Sequence, residues 1–197
     1  MAGKRSVDDI AIEKAAGQLR SALEGLGWAR DDRELAGTPD RVARLWTELF
    51  RGWREEAPAL ATVAAGEVPA GLVALYGVRF YSLCGHHLLP FYGRAHLAYW
   101  PGPRIAGLGD LARVVEHFAS RPTFQERMAV DIVHHVEREL SPRGVGIVIR
   151  GRHFCLEMRG ERQRSRFECS SYSGVLEDPA IRAEFVAGTR PPRPAKS

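Results

Sequence analysis

What this 197-residue chain lacks narrows its class before any motif is read. It holds three cysteines, an odd number that makes a poor disulfide framework, so reduced thiols and a cytoplasmic setting are expected. No uninterrupted apolar run approaches the roughly 18–20 residues of a membrane span, and the polar start from Met1 to Asp9 is no signal peptide. There is no internal repeat. Few aromatics interleave with the arginines at positions 150, 152, 159, 162, 164 and 166, so nucleic-acid bases would find little to stack on. A small phosphorylated ligand fits that set better. Excess charge is slight: 28 basic against 24 acidic residues gives +4, arginine-dominated, which favours an anionic partner without implying RNA or DNA. With 45% hydrophobic and 26% charged residues, wholesale disorder is excluded.

Periodicity supplies the elements. Ile10, Ala11, Ala15, Leu19, Ala22, Leu23 and Leu26 form the apolar stripe of a helix over 7–25, ended by Gly25 and Gly27. Thr38-Pro39 reads as an N-cap with proline at N1, opening a helix to about Phe50. Residues 51–69 read as a loop rich in Ala, Gly and Pro. Strands are expected at 72–83, 95–100, 145–150, 153–159 and 164–172, and helices at 108–119, 124–140 and 179–186. The order predicts an α+β fold with an antiparallel sheet. We divide it into a helical extension over 1–60, a catalytic domain over 61–190 and a disordered basic tail over 191–197.

Two short segments carry most of the chemistry. Cys84-Gly-His86-His87 and His153-Phe-Cys155 supply two thiols and up to three imidazoles, the ligand types that zinc prefers. Cys84 and His87 are three apart, so one turn aims both at a single ion. His153 and Cys155 are two apart, so a strand over 153–159 puts them on one face with Glu157 and Arg159. Three ligands plus an open position is the stoichiometry of a catalytic zinc, whereas a structural site consumes four. Bland readings stand beside these. A cysteine is often a small buried hydrophobe. His86 reads equally as a spare ligand, a proton-transfer group or a surface residue. His134 and His135, adjacent on a helix, cannot chelate as an i,i+4 pair would and read as helix surface; Cys169 reads as a plain strand residue. Thr123-x-x-Glu126 has the form of a capping box.

The combined motifs resemble one family. Cys84-Gly-His-His-Leu-Leu-Pro-Phe91 with Gly93, Gly107-Leu108 followed by Arg113, Gln125-Glu126-Arg127, His153-Phe-Cys-Leu-Glu-Met-Arg-Gly160 and Thr38-Pro39-Asp-Arg41-Val-Ala are similar to GTP cyclohydrolase I over about residues 7 to 188. The resemblance implies a tunnelling fold, with an antiparallel sheet, helices on one face and an N-terminal helical extension. It implies a homodecamer of two stacked pentamers with active sites at subunit boundaries. It implies Zn2+ held by Cys84, His87 and Cys155, proton transfer by His86 and His153, purine recognition by Glu126 with Gln125, and phosphate contacts from Arg113 and Arg159. The implied reaction opens a purine imidazole ring at C8 with release of formate, converting GTP to dihydroneopterin triphosphate. The implied partner is thus a guanine nucleotide, with neither nucleic acid nor membrane.

Three departures qualify the resemblance. Gly85 stands where the family has Glu, Gly109-Asp110 replace its Ser-Lys, and Ser120 precedes Arg121 where another base is common. Asp110 reads as N-cap of the following helix and lies three before Arg113, in pairing distance. A paralogue acting on a less phosphorylated or modified guanine compound, or stopping after ring opening, is one alternative. A tunnelling-fold reductase would need a catalytic thiol and a nicotinamide site. A non-catalytic zinc protein would need a fourth ligand from His86 or His153.

Overall fold

The computed structural model of the protein describes residues 7–28, 33–66 and 71–190. The tail over 191–197, expected to be disordered, lies outside them. The chain forms two compact units, Met1–Arg51 and Gly52–Ser197.

The first unit contains helix α1 (Val7–Gly25) and helix α2 (Thr38–Leu49), with a small core of Ile12, Ala16 and Ala43. Thr38 is not the cap that its position suggested. Gly37 occupies that place, and the Thr38 hydroxyl accepts from the Arg41 guanidinium at 2.9 Å. Helix α3 (Arg51–Arg54) spans the boundary.

The second unit opens with strand β1 (Thr62–Ala64), which pairs antiparallel with β4 (Arg104–Ala106). Both were missed in stretches rich in Ala, Gly and Pro. The main sheet contains β2 (Val73–Cys84), β3 (Pro90–Trp100), β5 (Pro122–Thr123), β6 (Gly144–His153) and β7 (Phe167–Gly174) in the order β5-β2-β3-β6-β7. All neighbours run antiparallel except β2 and β5, which share a two-residue parallel pairing. Between the strands lie helix α4 (Leu108–Ala119) and helix α5 (Gln125–Leu140). On α4, Leu111, Val114, Val115 and Phe118 recur at helical spacing and are buried; α5 buries Met128, Ala129, Ile132, Val133, Val136 and Leu140. They meet Phe91, Ala95, Leu97 and Tyr99 of β3 and Val145, Ile147 and Ile149 of β6, the alternate residues of two neighbouring strands.

Among the described residues, the opposite sheet face is covered only at one end. There Ala98 and Val148 pack with Leu176 of a 3-10 turn (Val175–Glu177) and Phe185 of the last helix, α7 (Pro179–Gly188). Pro179 sits at the start of α7, and Asp178 caps it by accepting the Ala180 N–H at 2.7 Å.

The strand expected at 153–159 does not form. β6 runs on from 150 to His153 and stops, and residues Phe154–Glu157 make a single helical turn, α6. The cause is local: Arg152 donates twice to Glu157, at 2.8 and 2.5 Å, folding the chain back on itself. Polar alternation at 153, 155, 157 and 159 therefore did not report a sheet face. His135, expected at the surface, is buried and lies 2.9 Å from the Pro58 carbonyl through its Nε2.

Gly93 and Gly151 face each other across β3 and β6. A Cβ on Gly93 would collide with the Arg150 carbonyl, and one on Gly151 with Oε1 of Gln125. Both positions require a bare α-carbon because neighbouring groups approach too closely.

Candidate functional site

The site is assembled from three segments far apart in sequence. The first is the turn after β2. Its geometry is set by the Cys84 carbonyl, which accepts from the His87 and Leu88 N–H groups at 3.2 and 2.8 Å, while Leu88 takes a left-handed φ of 52°. The tight turn gathers ligand atoms of Cys84, His86 and His87 within 4.8 Å of one another. Cys84 Sγ lies 3.9 Å from Nδ1 of His87. Cys84 is buried, whereas both imidazoles are exposed.

The second segment is β5 with the start of α5. Cys84 pairs with Thr123, and the Gly85 N–H donates to the Thr123 carbonyl at 3.0 Å, so Gln125 and Glu126 arrive beside the cysteine turn. Thr123-x-x-Glu126 is not a capping box. The N-cap is Phe124, with no side-chain cap bond, and the Thr123 hydroxyl donates to the Phe124 carbonyl instead. Glu126 is therefore an exposed carboxylate in the first helical turn, where the helix dipole favours negative charge. Gln125 is the opposite, 1% exposed.

The third segment is the end of β6 with α6. The His153 ring stacks on Phe91 at 4.5 Å, nearly parallel, and meets Phe167 edge-on at 5.7 Å. Its Nε2 lies 3.1 Å from Gln125 Oε1. Because the Gln125 amide nitrogen donates to the Ile149 carbonyl at 3.0 Å, Oε1 must be the acceptor end, and the neutral imidazole carries its proton on Nε2. Nδ1 is then the bare nitrogen. Burial lowers the pKa of His153, with the Glu126 charge pulling the other way. Cys155, on α6, neighbours Cys84; its pKa is raised chiefly by burial, then by Cys84, with Arg159 opposing.

Cys84, His86, Gln125, Glu126, His153 and Cys155 line one cleft of about 240 Å³, together with Thr123, Phe124, Leu156, Ser165 and Phe167, whereas His87 is not among its lining residues. His86 faces it, its ring 4.4 Å from that of Phe124. Sequence reasoning missed both phenylalanines: neither sits in a periodic or motif position that marks it. Gly85 carries a related consequence, since a Cβ there would press on the Phe124 ring at 3.0 Å.

Arg113 and Arg159 are not among the residues lining the cleft. Arg113 is largely exposed on α4 and forms an ion pair with Asp110. Asp110 is not the cap of that helix. Gly107 is, and Asp110 is buried one turn in, its second carboxylate oxygen accepting the Ala61 N–H at 3.1 Å.

The donor chemistry fits a divalent, borderline-soft metal. Two neighbouring thiols and two imidazoles on one turn match zinc, and a cation there would offset what burial does to the Cys155 thiol.

Comparison with known proteins gives concordant matches. The family described as GTP cyclohydrolase I matches residues 15–190. GTP cyclohydrolase 1 of Aquifex aeolicus is 42% identical over 179 residues, 90% of this chain and 96% of that protein. GTP cyclohydrolase 1 of Clostridioides difficile is 42% identical over 185 residues, 92% of this chain and 97% of its own. Among solved structures, the apo form of the archaeosine synthase QueF-Like superposes with a TM-score of 0.44 at 20% identity, over 55% of this chain and 97% of its own, too loosely to bear on the site.

Proposed function

The chain belongs to the GTP cyclohydrolase I family, a family of hydrolases with the tunnelling fold, and from that premise we propose that this cleft opens the imidazole ring of GTP at C8, releases that carbon as formate and yields dihydroneopterin triphosphate. The observation that carries the reading is the convergence of Cys84, His86, Cys155, His153 and Glu126 on one cleft, with His87 on the same turn as Cys84 and His86.

Cys84, His87 and Cys155 are the residues that would hold zinc. When bound, zinc supplies Lewis-acid chemistry, lowering the pKa of water from about 16 toward 7 and so furnishing hydroxide near neutrality. The remaining work falls to the chain. Glu126 accepts the N1–H and 2-amino protons of guanine, a paired donor edge that adenine lacks. His153, held with Nδ1 bare, takes a proton from the attacking water and passes it from that nitrogen to purine N7 as the hydroxide adds to C8. His86, facing the cleft beside Phe124, serves the second hydrolysis that frees formate. Gln125 acts through His153: its amide fixes the tautomer while its neighbour Glu126 reads the base.

Arg113 and Arg159 are the proposed phosphate contacts. In the same reading, membership of the family supports a site at a boundary between subunits of a decamer of two pentamers. Three free thiols fit a cytoplasmic protein. No helix among the described residues is long and apolar enough to cross a membrane.

The test is to supply metal-loaded protein with GTP, GMP and guanosine while following formate and pterin fluorescence. Formate with fluorescence from GTP is expected. Formate without fluorescence would restrict the reaction to ring opening, and neither product from any guanine compound would overturn the reading.

A further inference from the structure

The sheet face away from α4 and α5 holds a second cavity, of about 820 Å³, that the proposed chemistry does not use. This is within the range of small-molecule sites. Its lining includes Arg94, Arg150, Arg152, Arg166 and Arg190, against one carboxylate among the described lining residues, Glu168. Arg94 comes from β3 and Arg150 and Arg152 from β6, while Arg166 lies just before β7 and Arg190 just after α7.

Their partners divide them into two kinds. Arg150 is committed, to Glu168 and to the carbonyl and hydroxyl of Thr189 at 2.7 and 2.9 Å. Arg152 is committed to Glu157. These two are braced walls. Arg94 is exposed and donates only to the Gly77 carbonyl, at 3.1 Å, and neither it nor Arg166 or Arg190 has a carboxylate partner among the described residues. Three guanidinium forks are thus left to meet an anion. The floor adds a donor. His96 is 7% exposed, and its Nδ1 accepts the Gly77 N–H at 3.3 Å, so the proton of the neutral ring is on Nε2, which has no hydrogen-bond partner among the described residues. Burial, then Arg150 and Arg94, push its pKa down to about 4, with Glu168 opposing, so the ring stays neutral beside the cations. Tyr76 and Tyr92 supply aromatic walls.

We propose that this cavity is a second anion site, distinct from the catalytic cleft, built for a di- or triphosphate chain. Several guanidinium forks on facing strands match an extended run of phosphate oxygens, where a single carboxylate would satisfy only one. The site does not depend on the chemistry assigned to the cleft. It is close to it nonetheless: β6 turns Arg150 and Arg152 toward this cavity and His153 toward the cleft, one residue beyond.

The probe is inorganic tripolyphosphate, titrated calorimetrically into the full chain carrying Arg113→Gln and Arg159→Gln, which removes the arginines assigned to the cleft. Binding should persist there. Adding Arg94→Gln with Arg166→Gln should weaken it tenfold or more, with circular dichroism unchanged. Arg166→Gln and Arg190→Gln singly, both at exposed positions, should each cost threefold or more, so the result does not hang on one variant. Equal affinity for ATP and tripolyphosphate assigns the phosphate chain alone, and ATP more than tenfold tighter assigns a nucleoside triphosphate that also uses the tyrosines. Absence of binding before the cavity arginines are changed, or binding indifferent to their removal, overturns the proposal.

Discussion

Cys84 and Cys155 are neighbours in a setting that raises the Cys155 pKa, an arrangement that makes sense when a cation lies beside them. We expect about one zinc per subunit, and metal analysis of Cys84→Ser and Cys155→Ser should show its loss; full occupancy in both variants would sink the ligand assignment. The ligand candidates were readable in the sequence because three of them sit in one turn, where spacing alone fixes proximity. Glu126 was less readable. Thr-x-x-Glu looks the same whether the helix is entered at residue 123 or one later, and here it is entered at 124. The carboxylate therefore owes nothing to capping. Glu126→Gln should weaken guanine-ligand binding by roughly 1.5–3 kcal/mol, the range for hydrogen bonds to charged groups, while the melting temperature barely moves. A clear drop in melting temperature with unchanged affinity would restore the capping role. Asp110 shows the same limit: its spacing from Arg113 predicted their pairing, but its bond to the Ala61 N–H joins positions no local pattern connects.

Strand and helix positions followed from periodicity wherever one face was buried, as in α4, whose bounds matched, and α5, whose start moved by one residue. Periodicity failed at residues 153–159. In a strand, Arg152 and Glu157 would point to opposite faces, since their separation is odd; the double hydrogen bond between them requires a turn. That turn carries Cys155, so the local misreading concerned the element bearing the third proposed metal ligand. The facing glycines of β3 and β6 are a second feature invisible to pattern, because only the register reveals what lies opposite. Gly93→Ala would drive a methyl into the Arg150 carbonyl, which cannot yield without breaking the ladder. The expected cost is on the order of 3 kcal/mol, at the upper end for overpacking, read as a lower urea midpoint. An unchanged midpoint would show that the strands can part there.

At the scale of the molecule, strand order was beyond the sequence: nothing in β3 announces that its neighbour is β6, two helices later. Nor did composition show that arginines would gather on the uncovered sheet face. Burial of His96, reinforced by their company, makes stability acid-sensitive. His96 is held neutral in the fold, its pKa depressed from 6.5 to about 4, while the unfolded chain takes up the proton near 6.5. The unfolded state therefore binds more protons between those values, and stability falls as pH drops from about 6.5 to 4, by at most about 3 kcal/mol from this residue. Above 6.5 its contribution is constant. Urea midpoints at pH 7, 5.5 and 4 should show that decline, and His96→Asn, which keeps an acceptor for the Gly77 N–H, should flatten it. Equal slopes in both proteins would remove His96 as the cause.

The assembly of the cleft from three distant segments also has a temporal side. As the chain leaves the ribosome, the turn bearing Cys84, His86 and His87 emerges as a ready three-donor cluster long before Cys155, at position 155 of 197, is made. If these donors hold zinc as proposed, the turn would meet a cation before β6 is laid against β3, and Cys155 would join it last. Metallation would then depend on the order of synthesis as well as on affinity in the finished protein.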